Sequence, residues 1–120
     1  MPKLLKNNLE ERVTNFSKRV VTFLRTIKKD NLNLPLINQL IRSATSIGAN
    51  YCEAGGASSR KDFKNKIYIC KKECKETKYW LEILVEANPE TRDTCRELWK
   101  EVHELTLIFS KTILTLESKK

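Results

Sequence analysis

The chain has 120 residues, of which 40% are hydrophobic and 32% are charged, with only three glycines and three prolines. That length fits a single domain, expected over residues 1–120, and is long enough to bury a hydrophobic core without disulfides. The low glycine and proline content excludes a loop-rich or disordered chain and favours long regular elements. No apolar run approaches the ~18 residues of a membrane-spanning helix. The first residues also lack an apolar signal core, so the sequence predicts a cytoplasmic protein without a membrane partner.

The positive charge is concentrated in two segments. The chain carries 23 Lys and Arg against 15 Asp and Glu, a formal net charge of +8. Residues 1–29 hold eight basic and two acidic side chains, and residues 58–78 hold eight and three, so these segments contain all of the excess. A charge concentrated in this way attracts a polyanion more effectively than the same charge spread evenly.

The first predicted helix covers about residues 8–29. Its apolar residues recur at alternating steps of four and three, which is typical of a packed helix and not of a strand. They are Leu9, Val13, Phe16, Val20, Phe23 and Ile27. Asn8, with Glu11 three residues later, fits an N-terminal cap.

The second predicted helix covers about residues 35–55. It begins at Pro35, because proline suits the first turn of a helix. Its apolar stripe consists of Ile37, Leu40, Ile41, Ala44, Ile47, Gly48 and Tyr51. Gly55 and Gly56 are expected to end this helix in a left-handed cap conformation.

The third and fourth predicted helices cover about residues 59–87 and 90–117. Ser58 or Ser59, with Asp62 behind it, is expected to cap the third helix. Its stripe has the strongest periodicity in the chain: Phe63, Ile67, Cys70, Cys74, Thr77, Leu81 and Leu84. The stripe of the fourth helix is Cys95, Leu98, Val102, Leu105, Phe109, Ile113 and Leu116. Four helices with short connections predict an all-α fold, an antiparallel up-down-up-down four-helix bundle.

Several large apolar residues lie outside these stripes, mainly in the third and fourth helices. They are Val21, Leu24, Ile69, Tyr79, Trp80, Ile83, Trp99, Leu107, Ile108 and Leu114. Some of them widen the face that packs on the core. The surplus nevertheless predicts a homo-oligomer, because large exposed apolar patches mark interfaces.

The cysteines and the single histidine do not predict an enzyme, a metal site or a cofactor. Cys70 and Cys74 share a helix face, but in an antiparallel bundle Cys52 and Cys95 lie about 12 Å along the axis from them. Four ligands so far apart cannot share one zinc ion, so the cysteines are expected to be small buried hydrophobic residues. His103 follows a core position and is expected on the outer surface or a flank.

Polar side chains on the second helix are expected to pair with the third helix. If the intervening turn is centred near residue 57, Arg42 lies level with about residue 72. We therefore predict an ion pair from Arg42 to Glu73 or Glu76. The favoured role is a network that fixes the register of the two helices, and the alternative is one pole of a binding pocket. The predicted structural polar network consists of Arg42, Ser46, Asn50, Glu53, Glu73 and Glu76.

The third helix also carries a face rich in lysine. The candidate nucleic-acid-binding residues are Arg60, Lys61, Lys64, Lys71, Lys75 and Lys78. They would contact phosphates, although a lysine-rich face also serves solubility alone, and Asp62, Glu73 and Glu76 weaken its field. Because no base-reading module accompanies these cations, binding is expected to be salt-sensitive and weakly sequence-specific.

Residues 34–84 contain several distinctive motifs. They are Gln39-Leu40-Ile41-Arg42-Ser43-Ala44, Ser46-Ile47, Asn50, Glu53, Lys72-Glu73, Glu76-Thr77 and Tyr79-Trp80-Leu81. This stretch closely resembles the bacterial four helix bundle protein family, which includes the proteins encoded in 23S ribosomal RNA intervening sequences. That family is related to the accessory variability determinant of diversity-generating retroelements.

The resemblance implies a compact four-helix bundle that assembles as a ring-shaped homopentamer. The partners implied for the retroelement relative are a nucleic acid and a reverse transcriptase, bound through a basic surface. The family-typical positions have an implied structural role, and they are Arg42, Ser46, Asn50, Glu53 and Glu76. Two functions follow for this chain. One is a non-enzymatic oligomer that binds RNA or DNA through basic helix faces, and the other is an adaptor oligomer that binds a protein partner through apolar helix faces.

Overall fold

Four α-helices make up most of the protein. The computed structural model describes residues 2–118, with side chains for residues 8–118. The helices are Pro2–Leu24 (α1), Asn33–Ala54 (α2), Arg60–Ala87 (α3) and Arg92–Ser118 (α4), with a 3-10 turn at Pro89–Thr91 before α4. No strand occurs in the described part of the chain, so the predicted all-α four-helix fold is confirmed. None of the described helices is long and apolar enough to cross a membrane.

The third helix runs antiparallel to both α2 and α4. Arg42, midway along α2, pairs with Glu76 of α3, whereas Glu53 near the end of α2 pairs with the earlier Lys66. Contacts between α3 and α4 reverse in the same way: Lys78 with His103, and Tyr68 with Glu117. This order is compatible with the predicted up-down-up-down connection.

The core is formed by the predicted apolar stripes. The largest fully buried side chains come from all four helices and include Phe16, Leu40, Ile47, Ile67, Leu81, Leu98, Leu105 and Phe109. Thr77 lies in the same stripe and is also fully buried. Its hydroxyl is satisfied because it donates to Ser43 Oγ at 3.0 Å or to the Glu73 carbonyl oxygen at 2.8 Å.

The first helix begins and ends earlier than its apolar pattern indicates. It starts at Pro2, so the predicted start near residue 8 with Asn8 as the cap is wrong. The sequence predicts a helix to about residue 29, but α1 ends at Leu24 and residues 25–32 form turns. The Lys29 ammonium donates to the carbonyl oxygens of Leu24 and Ile27, at 2.6 and 2.8 Å. A side chain therefore satisfies carbonyls that a further helical turn would have satisfied. Ile27 stays buried although it lies outside the helix.

The predicted left-handed glycine cap after α2 is wrong. Gly55 has a φ of −62° and a ψ of −24°, and no described glycine has a positive φ. The chain leaves the helix through a tightened turn instead. The Gly56 N–H donates to the Glu53 carbonyl at 3.0 Å, and the Ala57 N–H donates to the Ala54 carbonyl at 3.1 Å. These shorter-range bonds satisfy the last carbonyls without a left-handed residue.

Two buried asparagines join the turns at one end of the bundle. Asn33 begins α2, two residues before the predicted start, and its N–H donates to Asp30 Oδ1 at 2.8 Å. The Asn33 amide donates to Asn88 Oδ1 at 3.1 Å, and the Asn88 amide donates to Asn33 Oδ1 at 2.8 Å. This reciprocal pair connects the α1–α2 turn to the turn between α3 and α4.

Candidate nucleic-acid interface

The candidate cations of α3 lie mainly on the side of the helix that borders α4. Three contacts between the two helices show this placement. They are Arg60 Nη2 to the Leu116 carbonyl oxygen at 2.8 Å, Tyr68 Oη to Glu117 Oε2 at 2.5 Å, and Lys78 Nζ to His103 Nδ1 at 2.8 Å. Lys64, Lys71 and Lys75 lie on this side because they follow at helical spacing, whereas Lys61 is exposed further around the helix.

Four of these cations are available to an anionic ligand. Within the described residues, no carboxylate lies within ion-pair distance of Lys61, Lys64, Lys71 or Lys75. The acidic residues of the same segment are engaged elsewhere. Asp62 accepts a hydrogen bond from the Ser58 N–H, and Glu73 and Glu76 face α2, where both contact Arg42.

Lys78 belongs to a cluster with two aromatic rings. Its ammonium lies 2.8 Å from His103 Nδ1 and 4.9 Å from the centroid of the Trp99 ring. The two rings stack with centroids 5.2 Å apart and an interplanar angle of 14°. The cation–π contact holds Lys78 against the surface of the bundle. His103 is exposed on α4, as the sequence predicted.

A cleft of about 230 Å³ opens between α3 and α4 next to this cluster. Leu81, Val85 and Cys95 form its apolar part, and Trp99 lines it as well. Its remaining residues are Glu82, Arg92 and Arg96. The Trp99 indole N–H donates to Glu82 Oε2 at 3.3 Å, so this carboxylate has a partner at the edge of the cleft.

Sequence reasoning missed the two arginines of this cleft. Arg92 and Arg96 are exposed, lie one turn apart at the start of α4, and have no carboxylate partner among the described residues. They belong to residues 79–120, where eight acidic residues outnumber six basic ones. The net charge of this segment is therefore negative and does not indicate a basic site. Their spacing of four beside the core position Cys95 is the sequence signal that places them together on one side of α4.

The predicted network on α2 is centred on Arg42. Its Nη1 lies 3.5 Å from Glu73 Oε1, and its Nη2 hydrogen-bonds to Glu76 Oε2. The sequence predicted one of these ion pairs, and both are present. Trp80 adds to the network because its indole N–H donates to Glu76 Oε2 at 3.3 Å.

The other three members of the predicted network are bonded elsewhere and not to the side chains of the Arg42 ion pairs. The Ser46 hydroxyl donates to the Arg42 carbonyl oxygen at 2.7 Å, and the Asn50 amide donates to the Ser46 carbonyl oxygen at 2.8 Å. Both side chains therefore bond back to their own helix. Glu53 does reach α3, but it pairs with Lys66 at 2.7 Å.

Three of the four cysteines are buried, as predicted, and one is not. Burial raises the pKa of the Cys70 and Cys74 thiols to about 12 and also raises the pKa of Cys95. Cys52 is exposed, contrary to the prediction, because it follows the buried Tyr51 near the end of α2 and points away from the core. No group of three or more His, Cys, Asp or Glu in the described residues could hold a metal ion.

The basic residues of α1 do not extend the basic face of α3. Among the described residues, no Cα atom of α1 lies within 8 Å of a Cα atom of α3, so the two helices occupy diagonal corners of the bundle. Arg12 of α1 pairs with Glu101 and Glu104 of α4, at 2.7 and 2.5 Å, and these carboxylates raise its pKa. Lys29 is used to cap the end of α1. The side chains of Lys3 and Lys6 lie outside the described residues.

The surplus apolar residues divide into two groups. Leu24 is buried, and Trp80 and Trp99 pack against the core, so these widen the stripes. Tyr79, Leu107 and Leu114 are exposed to the extent of 55%, 56% and 68%. The second group lies on the outer sides of α3 and α4.

Both the sequence and the fold of this chain are similar to those of known proteins. Residues 6–111 match the family of 23S rRNA-intervening sequence proteins, and the chain belongs to this family. This confirms the resemblance that residues 34–84 carry. The fold is similar to the crystal structure of a protein with unknown function from the S23 ribosomal protein family of Bacteroides thetaiotaomicron. The TM-score is 0.82 and the sequence identity 33%, over 90% of this chain and 96% of that one. Among curated proteins, no significant match is found.

Proposed function

We propose that this protein is a non-enzymatic, oligomeric, cytoplasmic helical bundle that binds RNA or DNA through the basic face of α3. One observation carries the proposal: Lys61, Lys64, Lys71 and Lys75 have no carboxylate partner among the described residues. Contacts to phosphates depend on such free ammonium groups, because each one releases a condensed counterion from the nucleic acid.

The dimensions of the basic face suit a nucleic-acid backbone. Lys64 and Lys78 lie about 21 Å apart along the helix axis, at 1.5 Å per residue. A duplex presents one phosphate for about every 1.7 Å of its axis, so this length spans many phosphates. Such contacts position a protein without reading sequence, so we expect weak sequence specificity.

Family membership supports RNA as the first ligand to test. The family is named after intervening sequences of 23S rRNA. Assembly into a homo-oligomer, a pentamer according to the resemblance, would place several α3 faces on one particle. Several weak phosphate-binding faces on one particle bind a long nucleic acid much more tightly than one face does.

The test is a fluorescence-anisotropy titration with a structured RNA at several salt concentrations. The variant Lys64→Glu/Lys71→Glu/Lys75→Glu reverses three unpaired cations and leaves Lys78, which packs on Trp99, in place. Lys28→Glu/Lys100→Glu/Lys111→Glu is the matched control, because it makes the same charge change at exposed positions outside α3. We expect the α3 variant to bind far more weakly and to lower the slope of log K against log salt by about 2–3. Equal binding by the two variants, or no binding by the native protein at about 50 mM salt, would contradict the proposal.

A second candidate function is an adaptor that binds a protein partner through an apolar face. Leu107 and Leu114 favour it, because they lie seven residues apart on α4 and are both largely exposed. In that case the lysines of α3 serve solubility. Unchanged RNA binding in the α3 variant would favour this second function.

A further inference from the structure

The basic face of α3 continues into the cleft between α3 and α4. Lys78 is the last of the candidate lysines and lies over Trp99, which lines the cleft. Because α4 runs antiparallel to α3, the next cations beyond Lys78 along this side of the bundle are Arg96 and then Arg92. Cations therefore recur along this side of the bundle, and the cleft lies at its end. Two carboxylates lie between them, Glu117 beside Tyr68 and Glu82 beside Trp99.

The cleft has the size and lining of a site for a planar ring. Its volume of about 230 Å³ is roughly eight times that of one water molecule, which suits a ring system and not a helix or a folded partner. Leu81 and Cys95 are buried and line its inner side, and the half-buried Val85 provides apolar surface to it. Trp99 adds an aromatic edge.

The charged groups of the cleft suit a ring that is attached to phosphates. Arg92 and Arg96 have no carboxylate partner among the described residues, and a guanidinium can bind a phosphate through two parallel hydrogen bonds. Glu82 is the one carboxylate of the cleft and already accepts from the Trp99 indole. Its remaining oxygen can accept from an N–H on the edge of a nucleobase.

We infer that this cleft takes one unpaired base of a single-stranded RNA or DNA segment, while Arg92 and Arg96 contact the phosphates beside that base. The inference rests on the proposed function and adds a preference for unpaired strands. A base inside a continuous duplex is paired and stacked and does not enter the cleft, whereas an unpaired base can be splayed out against apolar and aromatic side chains.

The experiment compares an unstructured RNA oligonucleotide with the same sequence in a perfect duplex at constant salt. Val85→Phe fills the cleft without changing the charge, and Val21→Phe on the exposed surface of α1 is the matched control. We expect the native protein and Val21→Phe to bind the single strand about tenfold more tightly than the duplex. Val85→Phe is expected to lose this preference and to keep the salt dependence.

Two further measurements keep the test decisive. In a Trp80→Phe background Trp99 is the only tryptophan, and its fluorescence should change when the single strand is added but not when the duplex is added. Arg92→Gln/Arg96→Gln leaves the cleft open and should weaken binding of the single strand, even if Val85→Phe fails to fold.

The outcomes separate this inference from the proposed function. Equal affinity for single strand and duplex, or full single-strand preference in both cleft variants, would overturn the inference. If Lys64→Glu/Lys71→Glu/Lys75→Glu still weakens binding in that case, the proposed function stands. Binding that responds to the cleft variants but not to the lysine variant supports the cleft and contradicts the role of the α3 face.

Discussion

Glu73 is a carboxylate buried between α2 and α3. It is only 8% exposed, and its Oε1 has no hydrogen-bond partner in the described part of the protein. The nearby cation is Arg42, whose Nη1 lies 3.5 Å away. A buried charge is costly unless an opposite charge compensates it, so Arg42 stabilises the contact between the two helices by compensating Glu73 as well as by pairing with Glu76.

Removal of this compensation should destabilise the bundle. We expect Arg42→Ala to lower the free energy of unfolding by about 1–3 kcal/mol, measured by urea denaturation. The lower end of the range reflects the partial exposure of Arg42. Glu73→Ala in the Arg42→Ala background removes the uncompensated charge and should recover part of the loss. Unchanged stability in Arg42→Ala would show that the network does not hold the helices together.

The buried cysteines should make the folded protein less stable as the pH rises into the alkaline range. Thiols of the unfolded chain lose their protons near pH 9, whereas burial raises the pKa of Cys70 and Cys74 to about 12. Between these values the unfolded state binds fewer protons than the folded state, so stability falls as the pH rises. We expect the urea midpoint to decline less between pH 8 and 10.5 in Cys70→Ala/Cys74→Ala than in the native protein. Cys52→Ala is the control, because this exposed thiol should leave the decline unchanged.

At the scale of the helix, the start of α3 is defined by one side chain. Ser59 Oγ accepts the Asp62 N–H at 3.0 Å, and Asp62 Oδ2 accepts the Ser58 N–H at 3.1 Å. The sequence left Ser58 and Ser59 as alternative caps, and the structure selects Ser59. The helix that carries the lysines therefore begins with a reciprocal arrangement of the capping-box kind.

Loss of this cap should weaken α3 measurably. We expect Ser59→Ala to lower the free energy of unfolding by about 1 kcal/mol. Ser58→Ala is the matched control, since Ser58 contributes only its backbone N–H to the cap and should change stability little. Equal thermal midpoints for the two variants would contradict the assignment of Ser59 as the cap.

The sequence predicted the helices well and their ends less well. Alternating steps of four and three identify buried positions, because the same helical geometry governs both spacing and burial. The end of α1 depends on the hydrogen bonds from the Lys29 ammonium to the carbonyl oxygens of Leu24 and Ile27. The turn at Gly55 depends on which backbone N–H groups donate to the last carbonyl oxygens of α2. The cleft could not be predicted, since its lining comes from both α3 and α4 and forms only when the two helices pack together.

At the scale of the whole molecule, the two basic segments lie on helices at diagonal corners of the bundle. The charge of the chain is therefore divided between opposite corners, and α1 engages part of its share in the ion pairs of Arg12. Only assembly of several subunits could bring the separate basic surfaces together. We propose that the exposed apolar side chains of Leu107 and Leu114 on α4 form the surface for such assembly.

Oligomerisation is testable without any ligand. We expect light scattering to give a mass that is a multiple of the 14.0 kDa chain, five times that mass if the implied pentamer forms. Leu107→Glu/Leu114→Glu should lower this mass, because charged side chains are costly in an apolar interface. Leu32→Glu, at an exposed position outside α3 and α4, should not. A native protein of about 14.0 kDa would refute the proposed oligomer.

The asparagine pair at the end of the bundle has a consequence for how the chain assembles. Asn33 and Asn88 are 55 residues apart, and each belongs to a different helical hairpin. Until the hairpins dock, each turn presents an amide whose partner lies in the other hairpin. Each amide also donates to a carbonyl oxygen of its own hairpin, Lys28 for Asn33 and Leu84 for Asn88. A docked but misregistered pair would therefore leave the second N–H and the Oδ1 of each amide buried without a partner, at a cost of about 1–3 kcal/mol for each unsatisfied group. The pair thus lowers the free energy of the correctly aligned bundle relative to shifted arrangements of the same four helices.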